Sequence, residues 1–207
     1  MSKNILYLGS KSKAREMLIA GSDISYEILQ HDSDECGVDS KLDFEEYVQK
    51  IANEKMKHLL IPDKLKTEKH VFLLTADTLV KTLKTRQVLG KPKDLQDAKR
   101  MHKILREEPV EVVTGCCLEK KTFENGEWKT LEKKHFTTKT IVEFCVDEEY
   151  EDLYFKKMPY ALNACVAGIV EGYGQNFLKR VYGSYTSVLG LPIYEVRQVL
   201  KEMGFFS

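Results

Sequence analysis

The stretch VFLLTADT, residues 71–78, joins a continuous apolar run to a carboxylate. Four apolar residues in succession, Val71 to Leu74, are typical of a strand that is buried on both faces of a sheet. We therefore predict a central strand that ends at residues 75–78, so that Asp77 lies where the strand leaves the core. A carboxylate at that place is a candidate for acid–base or metal chemistry, although forming a turn after a strand is the more common role of such an Asp.

Strands and helices alternate around this stretch in the first half of the chain. A strand predicted over residues 5–8 runs into a polar loop and then into a helical pattern, and a second strand is predicted over residues 26–29. The strongest helical pattern begins after Asp43, an N-cap candidate, and extends to Pro62. This alternation favours an α/β or α+β architecture.

The second half of the chain contains a strong hairpin signal, Asn125-Gly126. It lies between two β-like stretches, residues 110–118 and 133–146, and predicts a long antiparallel ribbon. The remaining predicted elements are a hairpin over 79–89, helices over 95–105, 148–157 and 192–203, and a short strand or loop over 166–171. Together these elements predict a central mixed β-sheet flanked by helices.

The length and charge of the chain limit the classes of protein to consider. A chain of 207 residues suits a single α/β domain, residues 1–207, which could have two lobes. Lys and Arg together number 32, as do Asp and Glu, so no overall charge attracts nucleic acid or an anionic membrane. Every apolar run is far shorter than the roughly 18 residues of a membrane-spanning helix. We expect neither nucleic acid nor a membrane as a partner.

The amino terminus and the cysteines favour a cytoplasmic location. The chain passes from Met-Ser-Lys-Asn directly into an apolar strand, without the apolar core and cleavage site of a signal peptide. Its five cysteines form no C-x-x-C pair, which is typical of reduced thiols rather than of a metal site or a disulfide framework.

The turn LGSKSKAR, residues 8–15, is a candidate phosphate-binding loop. Backbone N–H groups at the start of a helix, the hydroxyls of Ser10 and Ser12, and the guanidinium of Arg15 are all suitable donors to phosphate oxygens. A serine N-cap followed by a solvated basic turn would have the same sequence. Both interpretations remain open on the residues alone.

Phosphate chemistry would also require a divalent metal ion and further positive side chains. Glu35 and Asp77 are the candidate ligands of a divalent metal, because Mg²⁺ keeps several waters and takes few carboxylates. A solvated acidic loop is the ordinary alternative for Glu35. Lys55 and Lys91 are suited to neutralising phosphate charge in a transition state, although a lysine among 32 basic residues usually lies at the surface.

The order and spacing of these motifs resemble the Maf family of nucleotide pyrophosphatases over nearly the whole chain. A single matching tripeptide would be weak evidence, but seven matches in the same order are specific. The matching segments are LGSKSKAR at 8–15, the acidic pair 34–35, ANEK at 52–55, ADT at 76–78, GKP at 90–92, VTG at 113–115 and GLP at 190–192.

The resemblance implies that the protein hydrolyses nucleoside triphosphates to monophosphate and pyrophosphate with Mg²⁺ or Mn²⁺, and so clears modified or non-standard nucleotides. It also implies an inosine-triphosphatase-like fold with two lobes and a cleft, and a homodimer. It makes Asp77 the catalytic base and assigns the metal to Glu35 and Asp77. The residues that it assigns to the polyphosphate are Ser10, Ser12, Arg15, Lys55 and Lys91.

The chain departs from the family pattern mainly over residues 164–172. Family members that prefer dTTP and UTP resemble one pattern, with Arg, Thr and Gln at the positions of Ala14, Thr78 and Glu171. Members that prefer 7-methyl-GTP tend to carry Glu at the last of these. Thr78 agrees with the first group, Glu171 with the second and Ala14 with neither. The pattern therefore does not indicate which nucleobase the protein prefers.

The changes near residues 164–172 leave a second hypothesis open, a nucleotide-binding regulatory protein of the same fold that has lost turnover. The presence of Asp77 and Lys91 favours the enzyme. A nucleic-acid-binding module is disfavoured by the zero net charge and by the lack of a basic stripe interleaved with aromatics.

Overall fold

The computed structural model describes residues 4–33 and 42–207. Within these ranges, seven strands form one mixed sheet with the order β2-β1-β3-β5-β6-β7, and β4 pairs with β3. The strands are β1 (Leu6–Gly9), β2 (Tyr26–Leu29), β3 (Val71–Thr82), β4 (Val88–Leu89), β5 (Val110–Glu124), β6 (Glu127–Phe144) and β7 (Leu178–Tyr182).

The helices confirm the predicted mixed α/β fold class. They are α1 (Lys13–Ala20), α2 (Phe44–Lys57), α3 (Leu95–Glu107), α4 (Glu148–Lys157), α5 (Tyr185–Val188) and α6 (Ile193–Glu202). Short 3₁₀ turns cover Asp63–Thr67, Pro159–Asn163, Cys165–Ala167 and Gly172–Phe177. In the described part of the chain, we find no helix with the length and apolar character that a membrane span requires.

The chain divides into two compact units. The first comprises Met1–Asp77, Thr114–Thr138 and Gly190–Ser207, and the second comprises Thr78–Val113 and Lys139–Leu189. The first unit has two apolar clusters, of which one packs Leu6, Leu8 and Leu74 against residues of α6 such as Val196. Burial of these apolar side chains is the main force that holds α6 against the strands.

The second unit has an apolar cluster of its own built from β3, β4, α3 and β5, and an aromatic cluster around Tyr154. Tyr154 packs edge-on against Phe155 and Phe177. His102 of α3 stacks on Phe155 with the ring centroids 5.0 Å apart. These contacts fix α3 and α4 within the second unit.

The parallel pairing of β1 and β3 positions the candidate site. β1 is parallel to both β2 and β3, with Gly9 opposite Leu29 and Thr75. Residues that follow Gly9 and Thr75 therefore emerge at the same, carboxyl-terminal end of this strand pair. Loops at this end of parallel strands are the usual place of ligand sites in α/β proteins.

The predicted end of β3 is wrong. The strand does not stop at residues 75–78 but continues to Thr82, so Asp77 lies within it. Pairing with β1 ends at Thr75, and the extension is hydrogen-bonded to β4, with Val80 opposite Leu89. The hairpin predicted over 79–89 is confirmed, and its first strand is the continuation of the buried strand.

The other predicted elements agree more closely. Asn125 and Gly126 both have positive φ, 55° and 85°, as a two-residue hairpin turn between β5 and β6 requires. Asp43 caps α2 by accepting from the Glu45 N–H at 3.2 Å, although the helix ends at Lys57 rather than at Pro62. Of the two alternatives for residues 166–171, a short strand or a loop, the structure shows the loop, which begins in the 3₁₀ turn Cys165–Ala167.

Candidate active site

The loop between β1 and α1 is built around two serine hydroxyls. Ser12 is the N-cap of α1, and its Oγ accepts from the Arg15 N–H at 3.4 Å. Ser10 Oγ accepts from the Ser12 N–H at 3.2 Å and from Arg15 Nη1 at 3.4 Å. These contacts use the lone pairs of Ser10, whose own O–H can donate to a phosphate oxygen. The N-cap role and the phosphate-binding role of this loop are therefore compatible.

The loop requires a glycine before it. A Cβ on Gly9 would overlap Leu59 Cδ1 and lie 2.9 Å from Thr75 Cγ2. Leu59 and Thr75 thus pack closely against the backbone of Gly9, directly before Ser10.

Arg15 is buried and connects two of the sequence motifs. Its Nε donates to the carbonyl of Gly190 at 2.7 Å, and its Nη1 donates to Ser10 Oγ. The guanidinium therefore joins the hydroxyl loop to the turn at residues 190–192 within the first unit. A planar group with several donors in fixed directions can hold such contacts while it also faces an anion.

Lys55 and Asp77 form a buried ion pair in the first unit. The Lys55 Nζ lies 2.6 Å from Asp77 Oδ1, and the side chains are only 8% and 10% exposed. Lys55 lies on the core-facing side of α2 with Val48, Ile51 and Ala52. Thr75 Oγ1 donates to the Ala52 carbonyl at 2.7 Å, which joins α2 to β3 close to the pair.

The two neighbouring cysteines of β5 are unsuited to nucleophilic chemistry. Cys116 and Cys117 are fully buried. Burial raises the pKa of each thiol to about 12. The positive charge of Arg15 opposes this rise for Cys116 but is the smaller effect. Both thiols stay protonated at neutral pH, and a thiol nucleophile at this place is excluded.

Three of the predicted site residues lie in the second unit. Thr78 follows Asp77 in β3 and is half-buried, and Lys91 is exposed after β4. Glu171 is half-buried at the N-cap of the 3₁₀ turn Gly172–Phe177. The Val166 N–H donates to the Gly90 carbonyl at 2.8 Å, which brings the segment of Glu171 to that of Lys91.

The other two predicted residues have simpler placements. Ala14 is half-buried in the first turn of α1, beside Arg15 in sequence. Glu35 lies outside the described residues.

Comparison with known protein families gives one match that bears on the motif resemblance. The model of the family described as Maf-like protein matches residues 5–203, which is nearly the whole chain. The chain belongs to the Maf-like family. The resemblance drawn from the motifs is therefore confirmed.

Maf-like relatives align with this chain over almost their full length. A dTTP/UTP pyrophosphatase of Acholeplasma laidlawii is 31% identical over 204 residues, which cover 97% of each chain. A dTTP/UTP pyrophosphatase of Clostridium kluyveri is 31% identical over 96% of this chain and 97% of its own. Among solved structures, a HAM1 protein from Coxiella burnetii aligns with 96% of this chain and 99% of its own, at 15% identity and a TM-score of 0.44.

Of the two predicted metal ligands, Asp77 is the one that the structure describes. Within residues 4–33 and 42–207, no group of three or more His, Cys, Asp or Glu side chains is arranged to hold a metal ion. Mg²⁺ is commonly bound by one or two carboxylates together with waters and phosphate oxygens. Asp77 is a carboxylate of this kind, with Lys55 on its Oδ1. Carboxylate oxygens of this kind are the donors that Mg²⁺ and Mn²⁺ take.

Two contacts of the candidate site were not predicted from the sequence. The first is the pairing of Lys55 with Asp77, which the apolar pattern of α2 could have indicated, because Val48, Ile51 and Ala52 place Lys55 on the buried face. The second is the acceptor role of the Gly190 carbonyl. A backbone acceptor leaves no signal in the side-chain pattern.

Proposed function

We propose that this Maf-like protein hydrolyses nucleoside triphosphates between the α- and β-phosphates, releasing a nucleoside monophosphate and pyrophosphate. The observation that carries the proposal is the buried Lys55–Asp77 pair, 2.6 Å apart, in the same unit as the Ser10–Arg15 loop. A carboxylate, an ammonium, a guanidinium and two hydroxyls suit the activation of water and the binding of linked phosphates.

Asp77 acts as the general base in this proposal. Its carboxylate takes a proton from water while the water oxygen forms a bond to the α-phosphorus. The bond from the α-phosphorus to the bridging oxygen breaks, and its electron pair leaves with pyrophosphate. Lys55 holds the Asp77 carboxylate in one orientation, and its ammonium can approach a phosphate oxygen when substrate binds.

The other assigned residues bind the polyphosphate. Ser10 and Ser12 offer hydroxyl donors at the N-terminus of α1, where backbone N–H groups also favour an anion. Arg15 and Lys91 supply positive charge for the β- and γ-phosphates. Both cations would then lie beside pyrophosphate, the leaving group on which negative charge develops.

We assign the divalent metal, Mg²⁺ or Mn²⁺, to Glu35 and Asp77. A bound divalent ion would neutralise phosphate charge and polarise the α-phosphate. We further expect a homodimer with a role in clearing non-standard nucleotides, as the family resemblance implies. The amino terminus and the cysteines favour a cytoplasmic location for it.

We assign recognition of the nucleobase to Ala14, Thr78 and Glu171, as the family resemblance implies. The names of the relatives make dTTP and UTP the first substrates to test. Glu171 agrees with the family members that prefer 7-methyl-GTP, so this nucleotide should be tested beside dTTP and UTP.

The deciding experiment measures pyrophosphate and orthophosphate release by the purified protein with a panel of ordinary and modified triphosphates, in Mg²⁺ and in Mn²⁺. We expect stoichiometric monophosphate and pyrophosphate. Release of orthophosphate would contradict cleavage at the α–β bond. Tight nucleotide binding without any product would support the regulatory protein instead.

A further inference from the structure

Two helices of the second unit donate to a single backbone carbonyl, that of Ala167. The Tyr154 hydroxyl of α4 donates to it at 2.6 Å, and His102 Nε2 of α3 lies 3.3 Å from it. Because a carbonyl only accepts, Nε2 carries the proton of the imidazole. Burial raises the pKa of Tyr154 to about 12, so its hydroxyl remains a donor at neutral pH.

The Tyr154 hydroxyl also accepts from the Ile169 N–H at 3.0 Å. It therefore bridges Ala167 and Ile169 in a tight turn, which we call the 165–169 turn after its residues. Tyr154 and His102 are both buried, and neither has a part in the chemistry proposed above.

The 165–169 turn has an unfavourable backbone conformation. Val166 and Ala167 have φ values of 53° and 49°, in the left-handed region that L-residues rarely adopt. For a β-branched residue such as Val166 this conformation is especially uncommon. It persists only where surrounding contacts enforce it, and the hydrogen bonds to Ala167 and Ile169 are contacts of that kind.

The same turn holds the segment that precedes Lys91. The Val166 N–H donates to the Gly90 carbonyl at 2.8 Å, and Cys165 Sγ donates to the Leu89 carbonyl at 3.2 Å. The 165–169 turn is therefore hydrogen-bonded to the two residues directly before Lys91.

We propose that Tyr154 and His102 are positioning residues for Lys91, which act through the 165–169 turn and do not touch the nucleotide. The inference rests on the proposed function, in which Lys91 binds the triphosphate. Loss of the Tyr154 hydroxyl leaves the Ile169 N–H without its acceptor and removes the shorter of the two bonds to Ala167. The turn then loosens, and Lys91 loses its fixed backbone.

A double-mutant cycle tests the coupling. Pyrophosphate release is measured for wild type, Tyr154→Phe, Lys91→Ala and the double variant. We expect Tyr154→Phe to lower kcat/KM by about tenfold, since misplacing a binding group costs this much or more. In the Lys91→Ala background it should cost almost nothing further, because the residue that it positions is gone. Equal effects of Tyr154→Phe in both backgrounds would overturn the proposal, because a general loss of folding would act in both.

Amide hydrogen exchange tests the structural step without turnover. In Tyr154→Phe, the amides of Val166 and Ile169 should exchange faster than in wild type. Tyr150→Phe, on the exposed side of the same helix, is the matched control and should leave both rates unchanged. Unchanged exchange in Tyr154→Phe would refute the inference even if the enzyme is active. A wild-type protein that releases no pyrophosphate would contradict the proposed function instead, and faster exchange would still support the role of Tyr154 in the turn.

Discussion

The ammonium of Lys55 lies 2.6 Å from a carboxylate oxygen of Asp77, although the two residues are 22 positions apart in the chain. One belongs to α2 and the other to β3, and both side chains are almost fully buried. A buried charge is costly unless it is paired, so each residue depends on the other for its place in the core. Asp77, the proposed general base, therefore also affects the stability of the fold through its pairing with Lys55.

Replacing Asp77 by Asn should abolish most of the activity. The amide keeps the shape of the side chain but is not a base, so we expect kcat for pyrophosphate release to fall by about 10²- to 10⁴-fold, with substrate binding less affected. Steady-state kinetics measure the change. Asp63→Asn, in a surface 3₁₀ turn, is the control and should keep the wild-type rate. An unchanged rate in Asp77→Asn would remove Asp77 from the mechanism.

Lys55→Met should destabilise the protein, because it leaves the Asp77 carboxylate buried without its partner. Loss of one partner of a buried pair costs about 3–5 kcal/mol of the free energy of unfolding, which urea denaturation measures. The double variant Lys55→Met/Asp77→Asn should recover part of this loss.

Lys57 offers a matched control in the same helix. It pairs with Glu54 at the same distance, 2.6 Å, but its side chain is 61% exposed. We expect Lys57→Met to cost less than about 1 kcal/mol. Similar losses for Lys55→Met and Lys57→Met would contradict the importance of burial for the first pair.

Arg15→Ala should weaken binding of a triphosphate much more than binding of the corresponding monophosphate. The guanidinium joins Ser10 to the Gly190 carbonyl, so its loss removes a cation and loosens the hydroxyl loop. Titration calorimetry with both nucleotides measures the difference. Lys13→Ala, an exposed cation two residues earlier, is the control. Equal losses for the two nucleotides would show that Arg15 does not bind the β- and γ-phosphates.

Removal of divalent metal should stop pyrophosphate release. We expect a chelator to abolish the activity and added Mg²⁺ or Mn²⁺ to restore it, since the metal neutralises the triphosphate. Glu35→Gln should raise the metal concentration needed for half-maximal activity while Glu45→Gln should not. Full activity in the presence of chelator would exclude the assigned metal.

The stability of the protein should depend on pH through His102. Burial lowers the pKa of His102 from its ordinary value of 6.5 to about 4. Between these values the unfolded chain binds a proton that the folded protein does not. His102 therefore contributes its full stabilisation above pH 6.5 and loses about 3 kcal/mol of it as the pH falls to 4.

Glu151 and Arg106 are the charged groups beside this ring. His102 Nδ1 lies 3.4 Å from Glu151 Oε1, and Arg106 lies 3.5 Å from the same oxygen. Burial raises the pKa of Glu151, so its contribution has the opposite sign and is lost as pH rises. Urea denaturation from pH 4 to 6.5 should show a smaller pH dependence in His102→Leu than in wild type. His135→Gln, at an exposed position, should retain the wild-type slope, and equal slopes for all three proteins would contradict the assignment.

Local patterns predicted most of the elements correctly. The apolar run over residues 71–74 indicates a buried strand, and Asn125-Gly126 indicates a hairpin turn. Both properties depend mainly on residues that are neighbours in the sequence. The end of β3 was missed because it depends on pairing with β4, which is a contact between separate segments. The left-handed turn at Val166 and Ala167 was missed for a similar reason, since Ala167 accepts from side chains of two helices, which local sequence does not show.

Composition and motif order were enough to establish the family and the chemical groups of the site, because hydroxyls, carboxylates and cations are properties of single residues. They did not show that Lys55 neutralises Asp77, or that Arg15 spans from Ser10 to Gly190. Such contacts join segments far apart in the chain. They exist only after α2 and the 190–192 turn have packed against the sheet, because the burial of apolar side chains is what brings those segments together.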